Sequence, residues 1–317
     1  MKNILIFRTD RIGDFLVCSS IYSSIKRKNK QCNIDIVCSN SNFKYVKSFD
    51  LFNNVYLFPS NLFNKFIFHL KLNKYDEILV LDGKKRSIYF TILNKSKSKI
   101  MYTPSKFIKN VFRLFFDRIF LIDYKIPKIE LIKESLSYLN YDLVESDLNF
   151  LKEHENSNYL NYNLPYKDYL IFNFDEKWFY NNYIKSYYNI EPKYNEFIEF
   201  LKKISESNNV VITNGYFQNY ILDRLKVTVI NEFKNKVVIM DKINIFEFQN
   251  LIKNSKCLIS CHGAPSHIAS SYNIKLVDII DNSEKDFFES YNFHFKQKSQ
   301  LIRQKFHILS NQILDVI

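Results

Sequence analysis

Short apolar runs and amphipathic stretches alternate along almost the whole chain. The first cycle sets the pattern. Ile4 to Phe7 is an apolar run of the kind a buried parallel strand shows, residues 8–14 form a polar turn, and Phe15, Leu16, Ile21, Tyr22 and Ile25 then recur at helical spacing to about Lys28. Strand-like runs follow at 33–38, 54–58, 77–82 and 99–102, separated by helical or irregular segments, and this alternation predicts a mainly parallel sheet. Periodicity is lost over 153–167, which is rich in Asn and contains Pro165; the domain boundary is placed there, at about 160. The second half restarts with runs at 169–174, 209–214, 226–230, 236–240, 257–260 and 275–280. A helix is predicted over 191–207, with Pro192 at its first position, and a terminal helix from about Leu301 to Ile317. Two α/β domains, 1–160 and 161–317, are expected to face one another across a cleft lined by the polar loops at their strand ends.

Composition sharpens this picture at the glycines. The chain has four in 317 residues, where average usage of about 7% would give roughly twenty. Gly13, Gly83, Gly215 and Gly263 each follow a strand-like run, the place where open α/β sheets put their ligand crevice. For Gly215 a plain tight turn is an equal reading.

The formal charge is +12, of which an excess of ten lies in residues 1–160 and two in the remainder. Part of the total follows from a bias toward Lys, Asn, Ile, Phe and Tyr that an AT-rich genome produces without function, so the distribution says more. A basic first half attracts an acidic membrane face, a phosphate-bearing lipid or nucleic acid. No helix-turn-helix, zinc-finger or RNP-type pattern supports nucleic acid as the partner. The five cysteines form no CxxC pair, as expected of a reducing compartment. Neither a signal-peptide h-region nor a run of about eighteen uncharged apolar residues is found, and the expected location is cytoplasmic, with peripheral association at the inner membrane face left open.

Candidate chemistry sits in the polar turns. The run Cys257 to Ser260 leads into His262, Gly263, Ala264, Pro265, Ser266 and His267 and then a predicted helix, whose first amides and dipole would receive an anion. No Asp-x-Asp motif is present to hold a metal against a diphosphate. Four blocks together resemble glycosyltransferase family 9, the ADP-heptose:lipopolysaccharide heptosyltransferases. RTDRIGD (8–14) is similar to the family's opening signature, YDEILVLDGKKRS (75–87) to its second block, Glu176-Lys177-Trp178 to the segment that opens the second domain, and HGAPSHIASSYNIKLVDII (262–280) to its late block. They occur in family order across nearly the whole chain.

The resemblance implies a GT-B fold, acceptor bound mainly by the first domain and sugar nucleotide by the second, with metal-independent inverting transfer and no cofactor beyond an ADP-heptose-like donor. It places the catalytic base at Asp14, with Asp10 as second candidate, and the cation that steadies the leaving phosphate at Lys177. Arg11, Gly13, Lys85 and Arg86 would meet an anionic glycolipid or oligosaccharide acceptor. The late block departs from the family pattern: His262, Gly263 and Ala264 stand where Asp, Ser or Thr, and Gly are usual. That Asp contacts donor-sugar hydroxyls in the family, so His262 opens two alternatives, a different sugar nucleotide or a binding protein without transfer activity. An imidazole there can bond a hydroxyl or, protonated, face a diphosphate. His69, His154, His294 and His307 have no partner pattern and are read as structural or surface residues.

Overall fold

The computed structural model describes residues 1–71, 75–154, 164–179, 184–233 and 235–317. Two compact units divide the chain, Met1–Asn156 with Glu289–Phe293, and Ser157–Phe288 with His294–Ile317. The boundary expected near 160 lies outside the described residues. That the short stretch 289–293 groups with the first unit is not visible in the sequence pattern.

In the first unit six strands, β1 (Asn3–Phe7), β2 (Asn33–Cys38), β3 (Asn54–Leu57), β4 (Tyr75–Val80), β5 (Ser96–Thr103) and β6 (Arg118–Leu121), form one sheet in the order β3-β2-β1-β4-β5-β6. Every pairing is parallel, with Ile4 of β1 opposite Ile34 on one side and Glu77 on the other. The chain winds outward from β1 to β3, returns to the centre, and winds the other way from β4. This is the doubly wound order, whose switch point lies between β1 and β4. One face of the sheet packs Leu5, Phe7, Val80 and Met101 against Phe68, Ile88 and Phe90. Elsewhere in the unit Phe15 stacks on Tyr22 at 5.2 Å and on Phe49 at 5.8 Å, with Phe150 edge-on at 5.7 Å. Burying each such ring contributes roughly 1.5–3 kcal/mol, which anchors the turn just before it.

The second unit repeats the plan. Strands β7 (Leu170–Asn173), β8 (Val210–Thr213), β9 (Val237–Met240), β10 (Cys257–Cys261), β11 (Lys275–Ile280) and β12 (Lys298–Ile302) are ordered β12-β11-β10-β7-β8-β9, again all parallel. Its switch point lies between β7 and β10.

Three sequence expectations are corrected: the helix expected over 191–207 spans Tyr194–Ser207, so Pro192 precedes its cap Lys193 instead of opening it. The run 226–230 is not a strand but part of the helix Tyr220–Glu232. Ile221, Leu222 and Leu225 are buried at helical spacing while Val227 faces solvent, and the Asn219 side chain caps the helix by accepting from the Leu222 N–H. A local run of β-branched residues is overridden by this longer period. The terminal helix starts at Phe306, because Leu301 and Ile302 belong to β12. All five cysteines are buried and unpaired. Among the described residues no helix is long and apolar enough to cross a membrane.

Candidate functional site

At the first switch point the residues following β1 meet those following β4. Arg8 is 4% exposed and its guanidinium organises the turn: Nε donates to the Asp14 carbonyl at 3.0 Å, Nη1 donates to the Leu81 carbonyl, and ion pairs reach Asp10 at 3.3 Å and Asp14 at 3.5 Å. Asp82 accepts from the Thr9 hydroxyl at 2.6 Å, the Ser87 hydroxyl at 2.7 Å and the Lys84 amide at 3.0 Å. Burial, with the Asp10 charge adding to it, pushes the Asp82 carboxyl up. Gly83 takes φ +59°, and a Cβ there would stand 2.6 Å from the Tyr102 carbonyl, so this glycine is required by both conformation and space. No such strain applies to Gly13, the second residue of the helix Ile12–Val17.

A cavity of about 660 Å³ opens beside these groups. Thr9, Asp10, Arg11, Asp14, Lys84 and Arg86 face it, together with residues 39–41 and 58–60. Arg86 donates to Thr9 Oγ1 at 2.9 Å and lies 5.0 Å above the Phe58 ring. Of the expected pair Lys85 and Arg86, Lys85 is exposed outside this lining, and Lys84 takes its place with its ammonium 2.5 Å from Asp10.

A second cation, with no distinguishing local sequence, is buried in the same unit. Lys128 is 4% exposed, its ammonium 4.7 Å from the Tyr102 ring centre and 5.8 Å from that of Tyr291. Burial, reinforced by Arg8 and opposed by Cys18, Asp14 and Asp10, pulls it from 10.5 down to about 8. A base whose folded pKa is depressed binds fewer protons than the unfolded chain between pH 8 and 10.5, so stability rises with pH through that window. Lys128→Met is therefore expected to stabilise the protein at pH 7 by on the order of 2–3 kcal/mol, with the gain fading near pH 10.5. Urea unfolding at pH 7 and at high pH checks this; equal gains at both would remove the buried charge as the cause.

At the second switch point the turn after β7 meets the turn after β10. Asp175 caps the short turn Glu176–Trp178, accepting from the Lys177 amide at 3.1 Å, and its carboxylate lies 3.3 Å from the Lys177 ammonium. Trp178 is fully buried, 4.9 Å from the Phe172 ring, and donates Nε1–H to the Asn173 carbonyl at 2.8 Å, fixing the backbone that carries Lys177. From the other turn Gly263 comes so close that a Cβ on it would lie 2.6 Å from Lys177 Nζ. Two blocks far apart in sequence thus converge at one point.

The expected anion site at the helix Ala264–Ser271 is narrower than its sequence suggests. Pro265 has no N–H, and the amides of Ser266 and His267 donate back to the Gly263 carbonyl at 3.0 and 3.3 Å, so none of these three offers an N–H to an anion. Pro265, Ser266 and His267 are buried rather than presented. His267 shares a proton with His294, Nδ1 to Nε2 at 3.2 Å, in stacked rings 5.1 Å apart. Burial, helped by the charges of His294, His262 and Lys177, holds His267 well below the usual histidine range, and burial holds His294 down to about 3. His294 is therefore the buried partner of His267, not a histidine without one.

His262 is backed by a buried carboxylate. Its Nδ1 lies 2.8 Å from Asp278 Oδ2, and Ser266 Oγ donates to Oδ1 of the same Asp at 2.8 Å. A carboxylate accepts, so Nδ1 carries the proton and Nε2 is left as the acceptor of the neutral ring. Asp278 is fully buried in β11, and the signal was present: a lone acid in the apolar run LVDII needs a partner.

No family model and no curated protein matches the sequence. Solved structures do match in fold. The E. coli heptosyltransferase WaaC, solved with ADP-2-deoxy-2-fluoro heptose, aligns at a TM-score of 0.72 with 14% identity, covering 99% of each chain. A glycosyl transferase family 9 protein from Veillonella parvula aligns at 0.68 with 13% identity, over 100% of this chain and 93% of that one. A UDP-N-acetylglucosamine 2-epimerase from Listeria monocytogenes, described as putative, aligns at 0.60 with 12% identity, over 100% and 88%. The GT-B fold class expected from the four sequence blocks is the one observed.

Proposed function

We propose that the chain is an inverting, metal-independent glycosyltransferase that moves heptose or a related sugar from a nucleotide diphosphate donor to an anionic lipopolysaccharide, lipooligosaccharide or other surface-glycan acceptor. The observation that carries this reading is the convergence of Lys177 and Gly263 at the second switch point. A glycine that lets an ammonium reach the start of a helix makes a cationic seat for phosphate, and the fold is shared with a transferase solved with an ADP-sugar analogue.

In this reading the Asp14 carboxylate takes the proton of the acceptor hydroxyl as that oxygen bonds to the anomeric carbon. The bond from that carbon to the diphosphate oxygen breaks, and its electron pair leaves with the nucleotide. Lys177 stabilises the charge that grows there. The cations around the first cavity, Arg11, Lys84 and Arg86, suit a phosphate or carboxylate on the acceptor. His262, fixed by Asp278, offers an acceptor nitrogen to a sugar hydroxyl where the family has a carboxylate, which supports a donor sugar adjusted to that change.

The test is thermal unfolding with ADP, UDP, GDP and their sugars in the presence of a chelator. One nucleotide class at about 100 times its Kd is expected to raise Tm by several degrees, and Lys177→Ala to remove most of the shift. A folded protein that shifts with no nucleotide would overturn the reading.

A further inference from the structure

On one face of the first sheet, the helices Leu62–Lys71, Lys85–Leu93 and Lys106–Phe112 lie side by side. Phe68, Ile88 and Phe90 turn inward to the core, with Ile108 and Phe112 packed against it. Ring contacts join the helices laterally, Phe68 to Phe90 at 5.6 Å and Tyr89 to Phe112 at 6.0 Å. Yet the outward faces are apolar as well. Phe63, Phe66 and Leu93 are exposed, Phe107 is 76% exposed, and Leu114, just past the third helix, is 85% exposed. The third helix has no buried residue at all although its sequence is KFIKNVF. Apolar side chains this exposed, side by side on neighbouring helices, form a patch that calls for a non-aqueous neighbour.

Charge names that neighbour. Between Gly83 and Phe116 the chain has no Asp or Glu, and Lys85, Lys106, Lys109 and Arg113 stand on or just past these helices. Large apolar side chains among cations on helices lying parallel to a surface are the chemistry that enters the headgroup layer of an anionic bilayer. A second copy of this chain is a poor occupant, since a two-fold contact would oppose like charges. Nucleic acid would meet the lysines but leave Phe107 and Leu114 unburied.

We infer that this three-helix face docks the protein on an anionic lipid bilayer, with Phe107 and Leu114 inserted and Lys106, Lys109 and Arg113 on the headgroups. The assignment does not depend on the transferase reading. Flotation of the full chain with phosphatidylglycerol–phosphatidylethanolamine vesicles at 0.15 M salt tests it, with phosphatidylcholine vesicles as the reference. Wild type is expected to float with the anionic vesicles only. Phe107→Ser with Leu114→Ser, and separately Lys106→Glu with Lys109→Glu, are each expected to weaken partitioning more than tenfold, since each cation near an anionic surface contributes about fivefold. Both variants should keep the wild-type Tm and any nucleotide-induced shift, which separates failure here from failure of the proposed activity. Four results would overturn the inference: no flotation of wild type, flotation undiminished in the variants, a dimer in sedimentation that Phe107→Ser with Leu114→Ser makes monomeric, or retention on nucleic acid lost in that same variant.

Discussion

Asp14→Asn is expected to lower sugar transfer by about 10²–10⁴-fold while the protein stays folded and still binds nucleotide. Asp14 is the third residue of the helix Ile12–Val17, with its side chain 35% exposed on the cavity. One oxygen lies 3.5 Å from Arg8 and the other accepts from the Arg11 amide at 3.3 Å. Asn keeps an oxygen for that amide but has no basic site for a proton. Asp10 is the rival base, and the structure weighs against it: its side chain is 16% exposed and is gripped by Arg8 at 3.3 Å and Lys84 at 2.5 Å. Its carboxylate is already occupied by those two contacts and is less open to an incoming hydroxyl than that of Asp14. Asp10→Asn should therefore act on acceptor KM and on stability more than on kcat. If Asp14 only ends a helix, Asp14→Asn will cost at most about 1 kcal/mol of stability and leave transfer intact. Transfer rates for the two variants, with nucleotide affinity measured alongside, decide between these outcomes.

Why some of this was legible and some was not follows from the range over which each signal acts. The runs Ile4 to Phe7 and Cys257 to Ser260 announce themselves because a strand covered on both faces is mostly apolar, and so the two switch-point turns could be located from sequence. The run 226–230 misled because five residues cannot distinguish a strand from the inner edge of a helix. Lys177 could be singled out from its block, but not its contact with Gly263, which depends on β7 and β10 being neighbours. Lys128 and His294 were hidden for the same reason. Each sits in an unremarkable local sequence and acquires its chemistry from aromatic or imidazole partners more than twenty residues away, Tyr102 in one case and His267 in the other. Asp278 was different: its burial could have been inferred from its apolar neighbours, though not that His262 would be its partner.

Lys177→Ala is expected to cost about 10²–10³ in kcat, the loss typical of removing one donor to charge developing in the transition state. Lysine exposure alone would not predict this, but the ammonium here is held: its side chain is 11% exposed, Asp175 anchors it at 3.3 Å, and the buried Trp178 fixes its backbone. Gly263 gives a second, independent handle on the same atom. Its φ of 162° is extended backbone that alanine adopts without strain, and the atom a new Cβ would meet at 2.6 Å is the tip of a flexible side chain. Gly263→Ala should thus leave Tm almost unchanged while displacing the ammonium by about an ångström, enough for a tenfold or larger loss of kcat. The two substitutions act through one group, so they should not add: once Lys177 is Ala, Gly263→Ala has nothing left to displace and should be silent. Four kcat values, from wild type, both single variants and the double variant, complete that cycle. An additive result would mean that Gly263 serves the donor through its own backbone, and that the cationic seat is not the unit proposed.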